Sequence, residues 1–471
     1  MFVYAVSALV VLPVAASTLL IPRAAPWPVP SPQQLQYAGS INALVHFNMA
    51  TFFHDGDPGC TSENWNGCDP LGGCNSSDPA SFAPTNLNIS SWSASMNDLG
   101  ATSAVLTAKH GCGFLLWTPK ATLPGGAPYT YHAQEDVLTL FVDEMKRNNI
   151  GHGFYFSLTN NFYLNELGHS VRPPSTLLPG QANITQSEFE DLAVALMTEL
   201  WSDFGALFEI WLDGGCGSLC DRVSALIKSL PNAAGAVAFN GGGVSVSPVR
   251  WCGTEGGSPD TANGVWSTAD CGWCPDGSGT GAPPNSTSAI WYPSGVDVTI
   301  QNGDHWFYTV GDTLHSLAEF STFYHNSVGN NGHLEIDFAV DRTGGIDPAH
   351  AAAYKLFGNW IRSCYGTPDA TAYLAAGTSS VIVPVTGSID RIALSENQVT
   401  GQFIISWAAE ALVAGSWTPF VSGSTIGSKR IVVAAGPVAT SSLRVTITSA
   451  FAPGHNGVNV SVYSGVGCST N

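Results

Sequence analysis

Five apolar runs along this 471-residue chain end in, or are followed by, side chains able to move protons or bind hydroxyls. His46 closes Ala43–Phe47, Lys109-His110 follow Ala104–Ala108, and Asn160-Asn161 follow Gly153–Leu158. Asp213 ends Leu207–Leu212 in the sequence EIWLDGG. Glu255 lies beyond Ala236–Phe239, in Arg250-Trp251-Cys252-Gly253-Thr254-Glu255-Gly256. Each has a plainer use. Asp before Gly-Gly forms turns and caps, Glu in a glycine-rich stretch is commonly solvated, and a histidine beside an apolar strand can be a hydrogen-bonded core residue. As a set they point to sugar chemistry. Two carboxylates from neighbouring strand ends can cleave an acetal. Aromatic faces stack on the apolar side of a pyranose while His and Asn bind its hydroxyls. The 14 tryptophans supply such faces, most of them destined for the core.

The elements that must position these groups follow from spacing. A further apolar run is Leu334–Ala339, and within Gln186–Trp201 apolar residues recur at helical intervals (Phe189, Leu192, Ala193, Leu196, Leu200). Strand alternating with helix from Gln34 to Cys364 predicts a parallel sheet with helices outside. The expected architecture is a (β/α)8-type barrel over 34–366, with an open doubly wound sheet as the alternative. A barrel gathers its reactive groups at the carboxyl ends of its strands, where His46, His110, Asp213 and Glu255 fall. Beyond Thr371, short Val- and Ile-rich runs separated by Gly, Ser and Pro predict a C-terminal antiparallel β-sandwich over 371–471.

Residues 18–33 form a proline-rich N-terminal segment, and the apolar run Phe2–Ala16 ahead of it reads as a signal peptide within 1–17. That run is too short for the roughly 20 residues of a membrane span. With Lys plus Arg at 16 against Asp plus Glu at 35, the formal charge is −19, which disfavours nucleic acid as a partner. Charged residues make up only 11% against 44% hydrophobic, so the chain has a core's worth of apolar material and a surface built from Ser, Thr, Asn and Gly. Eleven cysteines in an exported chain imply disulfides, with Cys60, Cys68 and Cys74 in one loop and Cys216/Cys220 and Cys271/Cys274 as local pairs. Connectivity is not readable from spacing. Five Asn-x-Ser/Thr sequons (Asn75, Asn88, Asn183, Asn285, Asn459) are compatible with a secreted glycoprotein. G-x-S-x-G, G-x-x-x-x-G-K-[ST] and H-E-x-x-H are all absent.

These segments resemble glycoside hydrolase family 29, the α-L-fucosidases. The resemblance is carried by His46-Phe47, by Leu106 to Trp117 around Lys109-His110-Gly111-Cys112-Gly113-Phe114, and by Ile210-Trp211-Leu212-Asp213-Gly214. It continues through the loop bearing Glu255, Trp291-Tyr292-Pro293, Asp297-Val298, Trp306-Phe307-Tyr308, Ser327 to Gly332 and Gly423 to Ile431. It implies a retaining exo-glycosidase acting on a fucosylated glycan, with Asp213 as nucleophile, Glu255 as acid/base, and no metal or organic cofactor. His46, Glu63, Trp65, His110, Tyr155 and Trp306 would form the sugar subsite. The chain departs from the family where Lys-His-His-Asp-Gly-Phe is usual, where a Glu-Trp pair is here Glu63-Asn64-Trp65, and where Gly295 replaces a Glu. Those losses leave α-L-galactosides as an alternative substrate. A non-catalytic carbohydrate-binding protein, and a metal-dependent hydrolase built on His46, His110 and Asp213, are the other readings.

Overall fold

In the computed structural model, which describes residues 18–21, 28–53, 59–67, 75–259 and 290–470, eight parallel strands close into a barrel in sequence order. They are β1 (Ile41–His46), β2 (Ser103–Lys109), β3 (Gly151–Ser157), β4 (Glu209–Asp213), β5 (Val237–Phe239), β6 (Pro248–Trp251), β7 (Ser294–Val298) and β8 (Gly332–Ala339). Buried on both faces, such strands read as continuous apolar runs. The two that escape this pattern are β6 (PVRW) and β7 (SGVDV), whose Pro, Arg, Gly and Asp interrupt it. Glu255, expected after the fifth strand, therefore follows the sixth. Pairing of β5 with β6 and of β8 with β1 closes the cylinder and replaces the open doubly wound alternative.

Around the barrel lie α1 (Pro32–Tyr37), α2 (Ile89–Leu99), α3 (Val137–Arg147), α4 (Gln186–Ser202), α5 (Cys220–Ser229), α6 (Leu317–Asn326) and α7 (Pro348–Tyr365). The helix α4 forms where the apolar spacing places it, started by a capping box between Thr185 and Glu188 and burying Phe189, Leu192, Leu196 and Leu200. The proline-rich segment ends by starting a helix. Ser31 caps α1, Pro32 takes its first position, and Gln34 bonds back to the Ser31 amide.

After α7 come two antiparallel sheets with a separate apolar core. One contains β9 (Ala370–Ala375), β11 (Ser388–Glu396), β14 (Arg430–Ala439) and β16 (Gly457–Tyr463). The other contains β10 (Ser380–Pro384), β12 (Ile404–Val413), β13 (Ser416–Gly423) and β15 (Ser442–Phe451), and residues Leu19–Ile21 pair along β15. The sandwich is stitched to the barrel just before β8. There Ser428 N–H donates to Asn331 Oδ1 (2.7 Å), and Ile431 N–H donates to the Gly329 carbonyl (2.7 Å).

Disulfides join Cys60 to Cys112, Cys216 to Cys220, and Cys364 on α7 to Cys468. The expected signal peptide over residues 1–17, the cysteines Cys68, Cys74, Cys271 and Cys274, and the sequon Asn285 lie outside the described residues. No described helix is long and apolar enough to cross a membrane.

Candidate active site

A cavity opens at the carboxyl ends of the barrel strands, with about 340 Å³ of atom-free space, part of it open solvent. Its lining of carboxyl groups, ring nitrogens and aromatic side chains is of the kind that takes a small polar group such as one sugar ring. Its wall carries Asp213, Glu255, His46, His110, Tyr155 and Trp306 from the sequence analysis, joined by Leu44, Trp211 and Asp297.

Asp213 is the last residue of β4. The chain then leaves the barrel through Gly214 and Gly215, both at positive φ. At Gly214 a Cβ would stand 1.8 Å from Thr159 Oγ1, so only glycine permits this exit. Thr159 holds the turn by donating to the Asp213 carbonyl (3.1 Å). The carboxylate itself receives the Tyr155 hydroxyl at Oδ2 (2.6 Å). Across the cavity, Trp306 donates its indole N–H to Glu255 Oε2 (3.2 Å). The Glu255 loop is laced to β7, since Gly257 N–H donates to the Asp297 carbonyl (3.1 Å) and Cys252 N–H to the Gly295 carbonyl (3.1 Å).

His46 Nδ1 lies 2.9 Å from Asp337 Oδ1. Burial pushes the imidazole well below its ordinary pKa, with His110 adding to the effect, and burial pushes the Asp337 carboxyl well up. Charge is disfavoured on both, so the contact is a neutral hydrogen bond that fixes the ring and leaves Nε2 for the cavity. His110 stacks on Tyr155 (5.5 Å between ring centres), and Tyr155 in turn stacks on Trp211 (5.3 Å). Lys109, beside His110, is buried and donates its ammonium to the carbonyls of Ser157 (2.6 Å) and Asn160. Burial draws its pKa down to about 8, although Glu166 and Asp213 act in the opposite sense.

Two expected subsite residues are elsewhere. Trp65 is fully buried against Tyr131 and Phe162 (5.4 and 5.3 Å), with its indole N–H on the Pro179 carbonyl (3.0 Å). Glu63, on the same single helical turn, is exposed. Neither lines the cavity. The turn directs Trp65 into the core beneath its own loop, and Glu63 faces away from that core. The altered second-strand motif has a local reason. Cys112 is consumed in the bridge to Cys60, and Gly113 sits at φ 84° where a Cβ would be 2.0 Å from Asn161 Oδ1. Asn161 is spent on the Leu164 amide (3.1 Å) and Asn160 on that of Gly168 (3.1 Å).

Trp211 and Asp297 were given no role by sequence reasoning. Trp211 was within reach, because strand alternation turns residues 211 and 213 to the same side. Asp297 had no such strand signal, since a five-residue run containing Gly and Asp does not announce itself; only its place in the family-like segment Asp297-Val298 marked it. Among the described residues, no group of three or more His, Cys, Asp or Glu is arranged to hold a metal ion.

Comparison with known proteins bears on this geometry. Residues 76–240 match the family model described as alpha-L-fucosidase. Alpha-L-fucosidase 1 of Arabidopsis thaliana is 26% identical over 494 aligned positions, covering 92% of this chain and 88% of that protein. Among solved structures, a GH29 fucosidase of Ruminococcus gnavus in complex with fucose superposes with a TM-score of 0.71 at 19% identity, over 96% of this chain and 98% of that one. A Bacteroides thetaiotaomicron protein with a provisional α-L-fucosidase assignment superposes with a TM-score of 0.74 at 23% identity, over 93% of this chain and all of that one. At these identities the superpositions speak for the fold, a barrel followed by antiparallel sheets.

Proposed function

The chain belongs to the α-L-fucosidases of glycoside hydrolase family 29, and from that premise we propose that it is a retaining exo-glycosidase releasing terminal α-L-fucose from glycans. The observation that carries the reading is that Asp213 and Glu255, from different strands, line one cavity. Retaining cleavage needs two carboxyl groups about 5–5.5 Å apart in opposite protonation states. Asp213 takes the part of the nucleophile. The Tyr155 hydroxyl donated to Oδ2 stabilises its charge and leaves Oδ1 to attack the anomeric carbon. As that bond forms, the glycosidic C–O bond breaks, and its electron pair leaves on the oxygen that Glu255 protonates. Glu255 then takes a proton from water, whose oxygen attacks the same carbon and frees the Asp213 carboxylate. The Trp306 indole N–H fixes Oε2 of Glu255, so Oε1 carries the proton in the first step.

The cavity's other walls suit a 6-deoxy sugar. Leu44 and the indoles of Trp211 and Trp306 offer apolar contact, while His46 and His110 offer ring nitrogens to hydroxyls. The test is the anomer first released from an aryl α-L-fucoside, followed by NMR. The α-anomer appearing first supports retention, the β-anomer excludes it, and hydrolysis of the α-L-galactoside alone would reassign the sugar.

The protein is read as secreted and glycosylated. Support comes from three disulfides among the described residues and from Asn75, Asn88, Asn183 and Asn459, all four exposed. Mass loss on treatment with a glycan-removing amidase tests the second part, and an unchanged mass would contradict it.

A further inference from the structure

Asp297 is a third carboxyl group in the cavity wall, and the two-carboxylate mechanism does not use it. It is only 2% exposed. Its position is set from two sides. The Trp251 indole N–H donates to Oδ1 (2.8 Å), and its own carbonyl receives the Gly257 amide of the Glu255 loop. It is also the one residue of β7 that lines the cavity. Gly295, two residues earlier on the same face of the strand, offers no side chain, and a Cβ there would lie 2.3 Å from the Phe239 ring. Recognition from this strand therefore falls to Asp297.

We infer that Asp297 is a specificity-determining residue, whose second oxygen, Oδ2, holds one ring hydroxyl of the sugar seated between Asp213 and Glu255. The inference rests on the glycosidase reading above and adds a polar contact to it. Burial, then Glu255, then Glu335 push the Asp297 carboxyl well above the usual carboxylate range, so it is a neutral acid. With Oδ1 accepting from Trp251, the proton resides on Oδ2, which donates to the hydroxyl oxygen. A neutral acid here also avoids setting a second negative charge beside Glu255, which must be free to lose and regain its proton.

The experiment compares kcat/KM of wild type, Asp297→Ala, Asp297→Ser and Asp297→Asn on an aryl α-L-fucoside and on its 2-, 3- and 4-deoxy analogues. Removing the acid should cost roughly 10- to 100-fold on the parent substrate, the scale of losing one strong buried hydrogen bond. On the one analogue that lacks the contacted hydroxyl, the same substitution should cost less than about threefold, because the bond is already gone. Asn, which keeps an N–H donor in place of the acid's O–H, should recover most of the loss seen with Ala. Equal losses on the parent and on all three analogues overturn the inference, because a residue acting only through the fold does not sense which hydroxyl is missing. Ser keeps the comparison available if Ala does not fold. A wild-type enzyme inactive on every fucoside overturns the glycosidase reading itself, an outcome distinct from active enzyme with equal losses.

Discussion

Two layers of carboxyl groups lie inside the same barrel and are committed to different tasks. The upper layer, Asp213, Glu255 and Asp297, borders the cavity. The lower layer, Glu209 and Glu335, is fully buried. Glu335 receives the Tyr37 hydroxyl on one oxygen (2.8 Å) and the Trp211 indole N–H on the other (2.8 Å), while Glu209 receives the Asn42 amide (3.2 Å). Burial pushes the Glu209 carboxyl well up, with Glu335 adding to the effect, whereas for Glu335 burial is outweighed by His333, Glu209 and Tyr37 acting together, which hold it below its ordinary value. Of the lower pair, Glu335 spends both oxygens within the fold, and no oxygen of either residue borders the cavity. Trp211 joins the layers, with its ring in the cavity wall and its N–H anchored beneath. The contrast shows that a buried carboxyl is available for chemistry only where its second oxygen meets a cavity.

The contrast breaks most sharply at Asp213. Asp213→Ala should lower kcat/KM on an aryl α-L-fucoside by roughly four orders of magnitude, the scale of losing a covalent nucleophile, with little change in the melting temperature. Retained turnover would remove Asp213 from that role. Glu255→Ala should cost on the order of 10²- to 10⁴-fold on glycans with poor leaving groups and far less on activated aryl fucosides, because only the former need a proton. Equal losses on both would make Glu255 structural. In the lower layer, Glu335→Gln should act on stability first. An amide offers one acceptor to two donors, so Tyr37 or Trp211 is orphaned at a cost of about 1–3 kcal/mol, read from denaturant unfolding. Unchanged stability would mean that the lower layer is not committed as described.

pH separates sealed groups from open ones in the same way. Burial holds His152 and His325 at about 4, below the ordinary value near 6.5. Between those values the unfolded chain binds protons that the folded chain refuses, so the melting temperature should fall as pH drops from about 6.5 to 4. His152→Asn should flatten part of that slope, and an unaltered slope would exclude His152 as a contributor. The smallest expected effect is none, on chelator treatment. Activity lost with chelator and restored by added metal would revive the metal-dependent reading.

What the sequence disclosed follows the same division. Asp213 and Glu209 share one strand and one face, yet only position separates them, because a barrel opens at the carboxyl ends of its strands. That rule brought out Asp213, His46 and His110. It could not bring out Asp297, whose strand is short and breaks the apolar pattern with Gly295 and Asp297 itself. Trp65 misled because an aromatic beside a carboxylate looks alike in a subsite and in a core. Its burial against Tyr131 and Phe162 is a tertiary fact that chain spacing does not encode. The C-terminal sandwich was legible in its Val- and Ile-rich runs, while the stitching of Ser428 and Ile431 to the barrel depends on contacts about a hundred residues apart.

The most direct test of the two-carboxylate account is to trap the sugar on the protein. In a 2-deoxy-2-fluoro-fucosyl donor the fluorine slows both chemical steps while a reactive leaving group restores the rate of the first, so the covalent species accumulates. Peptide mass spectrometry should then find one fluorofucosyl group on Asp213. An active enzyme that yields no adduct, or carries the sugar on any other residue, would contradict the account.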